Sequence, residues 1–284
     1  MGPVRDEDPQ ALLRTDADWA GACSPGAASL GSASFRIRPQ RRTFPINRYI
    51  PNQHGAWAML LLPFLLGLSI AGAAPVHIPL FLCWTLLYLL SFPVLQWIKT
   101  GRADRYRKPA LLYGALAIPL AAYVAAAEPK LIGYGALLLA AFAVPAFFAK
   151  RKNERALPND IVAIVLFCSF IYPVVYAGAG AEADWTRTTR LFILLVLYFV
   201  GTALYVKTVI RKKKNPRYYR ASAAYHALLI PYAAWLSLPL SLPFAALLLR
   251  AIVLPRRRLN IKRTGMAEIG FAVLLYVTLL LAYA

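Results

Sequence analysis

Side chains able to grip an anion or pass a proton are scarce in this chain, and they gather at one end of its apolar runs. His54, preceded by Asn52 and Gln53, opens the first run; Gln96 and Lys99 close the second, and Arg102 and Asp104 follow in the next connection. Asn159 and Asp160 open the fifth run, Lys207 and Arg211 close the sixth, and Ser222 and His226 open the seventh. Gln96/Lys99, Lys207/Arg211 and Ser222/His226 are three or four residues apart, which sets each pair on one helix face. Arginine offers bidentate donors to phosphate and lysine a mobile point charge, with Asn52, Gln53, Gln96, Asn159 and Ser222 as hydrogen-bonding companions. His54, His226, Asp104 and Asp160 are the candidates for moving a proton. Arg250 and Glu268 sit about one turn inside the eighth and ninth runs, and they read as a structural ion pair because a lone charge at that depth is costly. His77, between Pro75 and Pro79 at the other end, reads as an interfacial residue.

The elements that must position these groups follow from composition. The 284 residues are 60% hydrophobic and 15% charged, against about 25% charged in an average soluble domain. A soluble globule of this size has nowhere to hide so much apolar surface, whereas lipid-facing positions accept it. A membrane-crossing helix needs about 20 largely apolar residues. Such runs occupy roughly 55–73, 76–98, 109–127, 130–149, 158–178, 188–210, 220–236, 238–254 and 264–284. The expectation is an all-α, polytopic transmembrane bundle of nine helices. The seventh and eighth runs are the shortest and also fit one re-entrant hairpin. Residues 1–45 are polar and hold five of the twelve acids; they read as a disordered cytoplasmic tail before a nine-helix domain over 46–284.

Charge orients the bundle. The formal net charge is +20, and 26 of the 32 Lys and Arg fall within 36–48, 99–108, 150–155, 207–220 and 256–263. The alternate connections carry only Lys130, Arg187 and Arg190. Lys and Arg in short loops stay on the cytoplasmic side. An odd number of spans in the cell membrane, N-terminus inside and C-terminus outside, satisfies that alternation. Basic residues threaded between apolar runs argue against nucleic acid and for membrane lipid as the partner. The cysteines Cys23, Cys83 and Cys168 are scattered, so neither a disulfide framework nor a metal site is expected. No cofactor motif occurs: Walker loop, GxSxG, HExxH and CxxC are all missing.

An internal duplication is faint but ordered. Pro51-Asn52-Gln53-His54 and Pro158-Asn159-Asp160-Ile161 are offset by 107, Lys99-Thr100 and Lys207-Thr208 by 108. Arg105-Tyr106-Arg107 and Arg217-Tyr218-Tyr219-Arg220 follow at 112. The order and near-constant offset predict a 4+4+1 arrangement, and repeats in membrane proteins usually place a site where they meet.

Two resemblances bear on this plan. The stretch Pro51-Asn52-Gln53-His54-Gly55-Ala56-Trp57-Ala58-Met59-Leu60-Leu61-Leu62-Pro63 resembles the opening of the YwiC-like family of bacterial membrane proteins. Lys207-Thr208-Val209-Ile210-Arg211 and Ser222-Ala223-Ala224-Tyr225-His226 resemble it too. More distantly, nine spans with paired basic-side loops after the second and sixth are similar to UbiA-type prenyltransferases. Those enzymes hold Mg²⁺ and a prenyl diphosphate with Asp-rich motifs in both loops. Here the first loop keeps Asp104 alone and the second has no acid, a departure that leaves the metal without its ligands.

The expected function is therefore binding of a phosphorylated amphiphile, a prenyl diphosphate or a lipid phosphate, in a basic cup facing the cytoplasm. Lys99, Arg102, Lys207 and Arg211 would hold the phosphate while His54 or His226 handles a proton, in the manner of a metal-independent UbiA-like transferase. An organic-anion transporter and a non-catalytic scaffold or lipid-binding partner are the alternatives.

Overall fold

The computed structural model describes residues 54–211, 215–256 and 261–283. The polar tail, Asn52 and Gln53 lie outside the described residues, as do the side chains of His54 and Arg211. Among the described residues the chain is all-α with no strand. Eleven α-helices among the described residues build nine rods. They are α1 (His54–Ala71), α2 (His77–Thr100), α3 (Ala103–Ala127), α4 (Leu131–Ala141) with α5 (Ala143–Lys150), α6 (Leu157–Cys168) with α7 (Ile171–Ala179), α8 (Trp185–Val206), α9 (Pro216–Leu236), α10 (Ser241–Val253) and α11 (Ile261–Tyr283).

The split rods break where proline demands it. Pro145 and Pro173 cannot donate to the carbonyl four residues earlier, and their rings crowd that turn, so the breaks fall at Phe142 and at Ser169–Phe170. Ser169 repairs its turn: its hydroxyl donates to the Leu166 carbonyl at 2.8 Å and meets the Tyr134 hydroxyl at 3.0 Å. Ends are set locally as well. Gly101 takes φ +69° to terminate α2, a conformation glycine adopts without Cβ strain. Asp184 and Asn215 cap α8 and α9 by accepting from the backbone N–H of Arg187 and Arg217 at 2.8 and 2.9 Å.

Among the described residues six rods are long and apolar enough to cross a membrane, α2, α3 and α8 among them; the apolar stretches Gly55–Ala71 and Leu238–Val253 are shorter. This is a multi-pass membrane protein. The seventh and eighth runs form two separate helices, joined by a tight turn at Leu238–Leu240 and packed on each other.

The principal core lies between α1, α6, α7, α8, α9, α10 and α11, around Leu66, Cys168, Leu194, Tyr198, Phe244 and Leu275. A smaller one joins α1, α2 and α7 through Leu60, Trp84 and Phe170. Trp84 and Phe170 stack at 4.4 Å. Helix α1 can lie this close to α7 because Gly67 has no side chain: a Cβ there would stand 2.6 Å from Val174 Cγ1. Helices α3 to α5 are peripheral, and α4 buries no residue at all.

Candidate functional site

Two polar systems stand inside or against this apolar frame. The first rings the basic end. Lys99, at the close of α2, donates to Glu154 in the connection between α5 and α6. Lys207, at the close of α8, lies 2.7 Å from Asp160 on α6 and donates to the Arg155 carbonyl at 2.6 Å. Asn159 Nδ2 donates to the Glu154 carbonyl at 2.8 Å, tying the connection to the head of α6. Two lysines 108 residues apart in sequence thus close on one short segment, Glu154 to Asp160. Burial alone would raise the Glu154 carboxyl, but the bonded Lys99 ammonium outweighs it and holds the group below its ordinary value. At its α9 end α8 loosens into a π-helical turn, Lys207–Arg211, a device frequent at functional positions.

The second system is interior. Arg250 on α10 donates through Nη1 to Glu268 Oε2 on α11, and its Nη2 lies 3.3 Å from His226 Nε2 on α9. The guanidinium carbon lies 4.3 Å from the Tyr205 ring centre and 5.0 Å from that of Phe271, so aromatic faces support its charge. His226 Nδ1 lies 2.7 Å from the Ser222 carbonyl. A carbonyl only accepts and a guanidinium only donates. The geometry therefore assigns the proton to Nδ1 and the lone pair to Nε2, making His226 a neutral acceptor. Gly201 makes room for it: a Cβ there would stand 3.1 Å from Nε2.

The remaining candidates scatter. Arg102 and Asp104 are exposed at the head of α3, and Gln96 is half-buried one turn before Lys99. Ser222 is buried beneath His226, its hydroxyl without a partner. Among the described residues no three of His, Cys, Asp and Glu are grouped to hold a metal ion, so the side chains present do not fit a carboxylate-held Mg²⁺. A surface cleft of about 300 Å³ lies at the opposite end between Asp184, Thr186, Arg187 and Arg190.

The family model for YwiC-like protein matches residues 50–176. Over 229 residues the chain is 39% identical to the uncharacterized protein YwiC of Bacillus subtilis, covering 78% of this chain and 92% of that one. The chain belongs to the YwiC-like family. An uncharacterized protein of Haemophilus influenzae is 34% identical over 239 residues, 82% of this chain and 98% of its own length. No solved structure is a significant match.

In this YwiC-like chain the family match spans Lys99, Glu154 and Asp160 and stops short of Lys207 and the interior system. Residue reasoning passed over Glu154, Arg155, Tyr205 and Phe271. Glu154 carried a usable signal, being the lone acid in a connection that also holds Lys150, Arg151, Lys152 and Arg155. The aromatic support of Arg250 carried none, since Tyr205 and Phe271 resemble every other apolar-run aromatic. His77 differs from an interfacial residue: it is 3% exposed. Its Nδ1 accepts from the Ala74 backbone N–H and its Nε2 donates to the Val174 carbonyl, both at 2.8 Å, clasping α2 to α7.

Proposed function

We propose that this YwiC-like protein binds the phosphate-bearing head of an amphiphile, a prenyl diphosphate or a lipid phosphate, at its basic end. The observation that carries the reading is the convergence of Lys99 and Lys207 on the Glu154–Asp160 segment. Each ammonium is matched by a single carboxylate; Lys99 and Glu154 form a partly exposed pair, while Lys207 is buried against a partly exposed Asp160. Exposed pairs such as Lys99–Glu154 are worth only about 0–1 kcal/mol, so a diphosphate with several charges competes for that lysine through stronger charge-assisted bonds. The exposed Arg102, with Arg105 and Arg107 exposed on the first turn of α3, adds cation at the same end of the bundle, and the apolar rods beneath suit an acyl or isoprenoid chain.

The orientation goes with it: cytoplasmic basic loops, N-terminus inside, C-terminus outside. So does the 4+4+1 plan, supported by the packing of α1 against α7, which belong to the opening spans of the two halves. In its catalytic form the protein is a UbiA-like transferase in which lysine charge does the work of a metal as diphosphate leaves the prenyl carbon.

The test is binding of farnesyl diphosphate and farnesol to the purified protein in nanodiscs. The diphosphate is expected to bind saturably and the alcohol far more weakly. Combined Lys99→Met and Lys207→Met should abolish the preference, whereas Glu154→Gln with Asp160→Asn should tighten binding by removing the internal competitors. Equal binding of both ligands, or indifference to all four changes, would sink the proposal.

A further inference from the structure

The interior system is unlike a finished structural salt bridge. Arg250, Glu268 and His226 are 3%, 4% and 1% exposed, in a region where every unmade hydrogen bond costs the desolvation of its group. Yet Glu268 Oε1 has no partner, nor has Arg250 Nε. The hydroxyls of Tyr205 on α8 and Ser222 on α9 are also buried and unpartnered, and the Thr202 hydroxyl on α8 lies between Glu268 and Tyr198 without a close bond to either. They belong to this spot: the Tyr205 ring underlies Arg250, Ser222 lies one turn before His226, and Thr202 follows the glycine that abuts His226. Four helices therefore bring one cation, one anion and several idle donors to one buried place.

Charge decides what such a place can take. With Arg250 charged, Glu268 ionised and His226 neutral, the system sums to zero. A further anion would arrive unpaired. Of the two bases, His226 Nε2 already faces Arg250, while Glu268 Oε1 makes no close hydrogen bond and can accept a proton. The titratable groups that face Glu268 from the packed helices are Tyr198 and Tyr205 on α8 and Arg250 on α10; α1, which packs on α11, brings no acid or base among its described side chains.

We propose that the Arg250–Glu268–His226 system is a proton-linked site for a small oxyanion, a carboxylate or phosphate, distinct from the basic end. A proton from solvent adds to Glu268 Oε1, giving a neutral acid that releases its claim on the Arg250 guanidinium. The oxyanion takes that carboxylate's place on Nη1 and Nε, with the Thr202, Tyr205 and Ser222 hydroxyls as further donors. Proton and anion enter together, so the buried charge stays balanced. This is the chemistry of proton-coupled anion movement, and it does not depend on amphiphile binding at the rim.

The experiment is calorimetric titration of the full chain in nanodiscs with acetate and with inorganic phosphate, over a range of pH. Affinity is expected to fall about tenfold per pH unit once Glu268 is ionised, with one proton taken up per anion. Glu268→Gln, which mimics the protonated acid, should bind with no pH dependence. Because a single change could disturb folding, the paired Arg250→Met and Glu268→Gln chain is measured too; it removes both charges together and should stay folded without binding. Binding that is absent, independent of pH in the parent chain, or retained in the paired variant overturns the proposal. So does binding lost on combined Lys99→Met and Lys207→Met, which would assign the anion to the rim.

Discussion

At the rim the side chains of Lys99 and Glu154 are 31% and 30% exposed; in the interior those of Arg250 and Glu268 are 1% and 5% exposed. Both are single ion pairs between neighbouring elements, yet water gives them different meanings. A rim pair trades hydration for a contact of similar worth, so it opens cheaply and can yield its lysine to a ligand. The interior pair has given up hydration on both sides, and neither partner can be removed without stranding the other. The rim is thus suited to exchange, the interior to all-or-none changes that keep charge balanced.

The sharpest way to break this contrast is Glu268→Ala. It leaves Arg250 unpaired in the bundle and should cost about 3–5 kcal/mol, read as a large loss of thermal stability in detergent. The paired Arg250→Met and Glu268→Gln change should cost much less, because no charge is stranded. Next in size is Gly67→Ala, which tests whether the close α1–α7 approach holds the interior in register. With Val174 Cγ1 only 2.6 Å from the new Cβ, overpacking should cost about 1–3 kcal/mol by the same measurement.

Smaller effects belong to the rim. Asp160→Asn deprives the buried Lys207 of its counter-charge but leaves its bond to the Arg155 carbonyl, so about 1–3 kcal/mol is expected. Glu154→Gln should cost less than about 1 kcal/mol and vanish in high salt. The pH dependence of that pair has a definite sign. Glu154 is held below its ordinary value in the folded chain, so its contribution is present above the unfolded carboxylate pKa and is lost as pH falls through the folded one. A stability profile in which Glu154→Gln flattens the acid limb would support this. An acid limb unchanged by the substitution would remove Glu154 from the account.

Much of the frame was legible before any coordinates. The apolar runs announced their rods but not the breaks in two of them: Pro145 and Pro173 follow breaks, yet Pro63, Pro93 and Pro231 lie inside continuous helices. The seventh and eighth runs were harder, because a stretch of sixteen or so apolar residues suits a hairpin as well as two crossings; the structure shows two helices, α9 packed on α10 across the turn at Leu238–Leu240, an arrangement common to both. For the site, depth along the runs pointed to Arg250 and Glu268 and to both lysines. It could not reveal that Lys99 and Lys207 share one segment, or that carboxylates already occupy them.

By itself, then, the sequence determined that nine helical rods form, that most of their surface is apolar, and that basic side chains collect at alternate connections. Those properties depend on local periodicity and on the cost of moving charge across lipid, both set by residue type and order. Only tertiary structure decided who meets whom: Lys99 with Glu154, Lys207 with Asp160, Arg250 between Glu268, His226 and two aromatic rings. The physical reason is rotation and register. Apolar rods can pack in many ways at similar energy, and each way turns a different residue of α8 to α11 toward the others. Close fits at Gly67 and Gly201 select one of them.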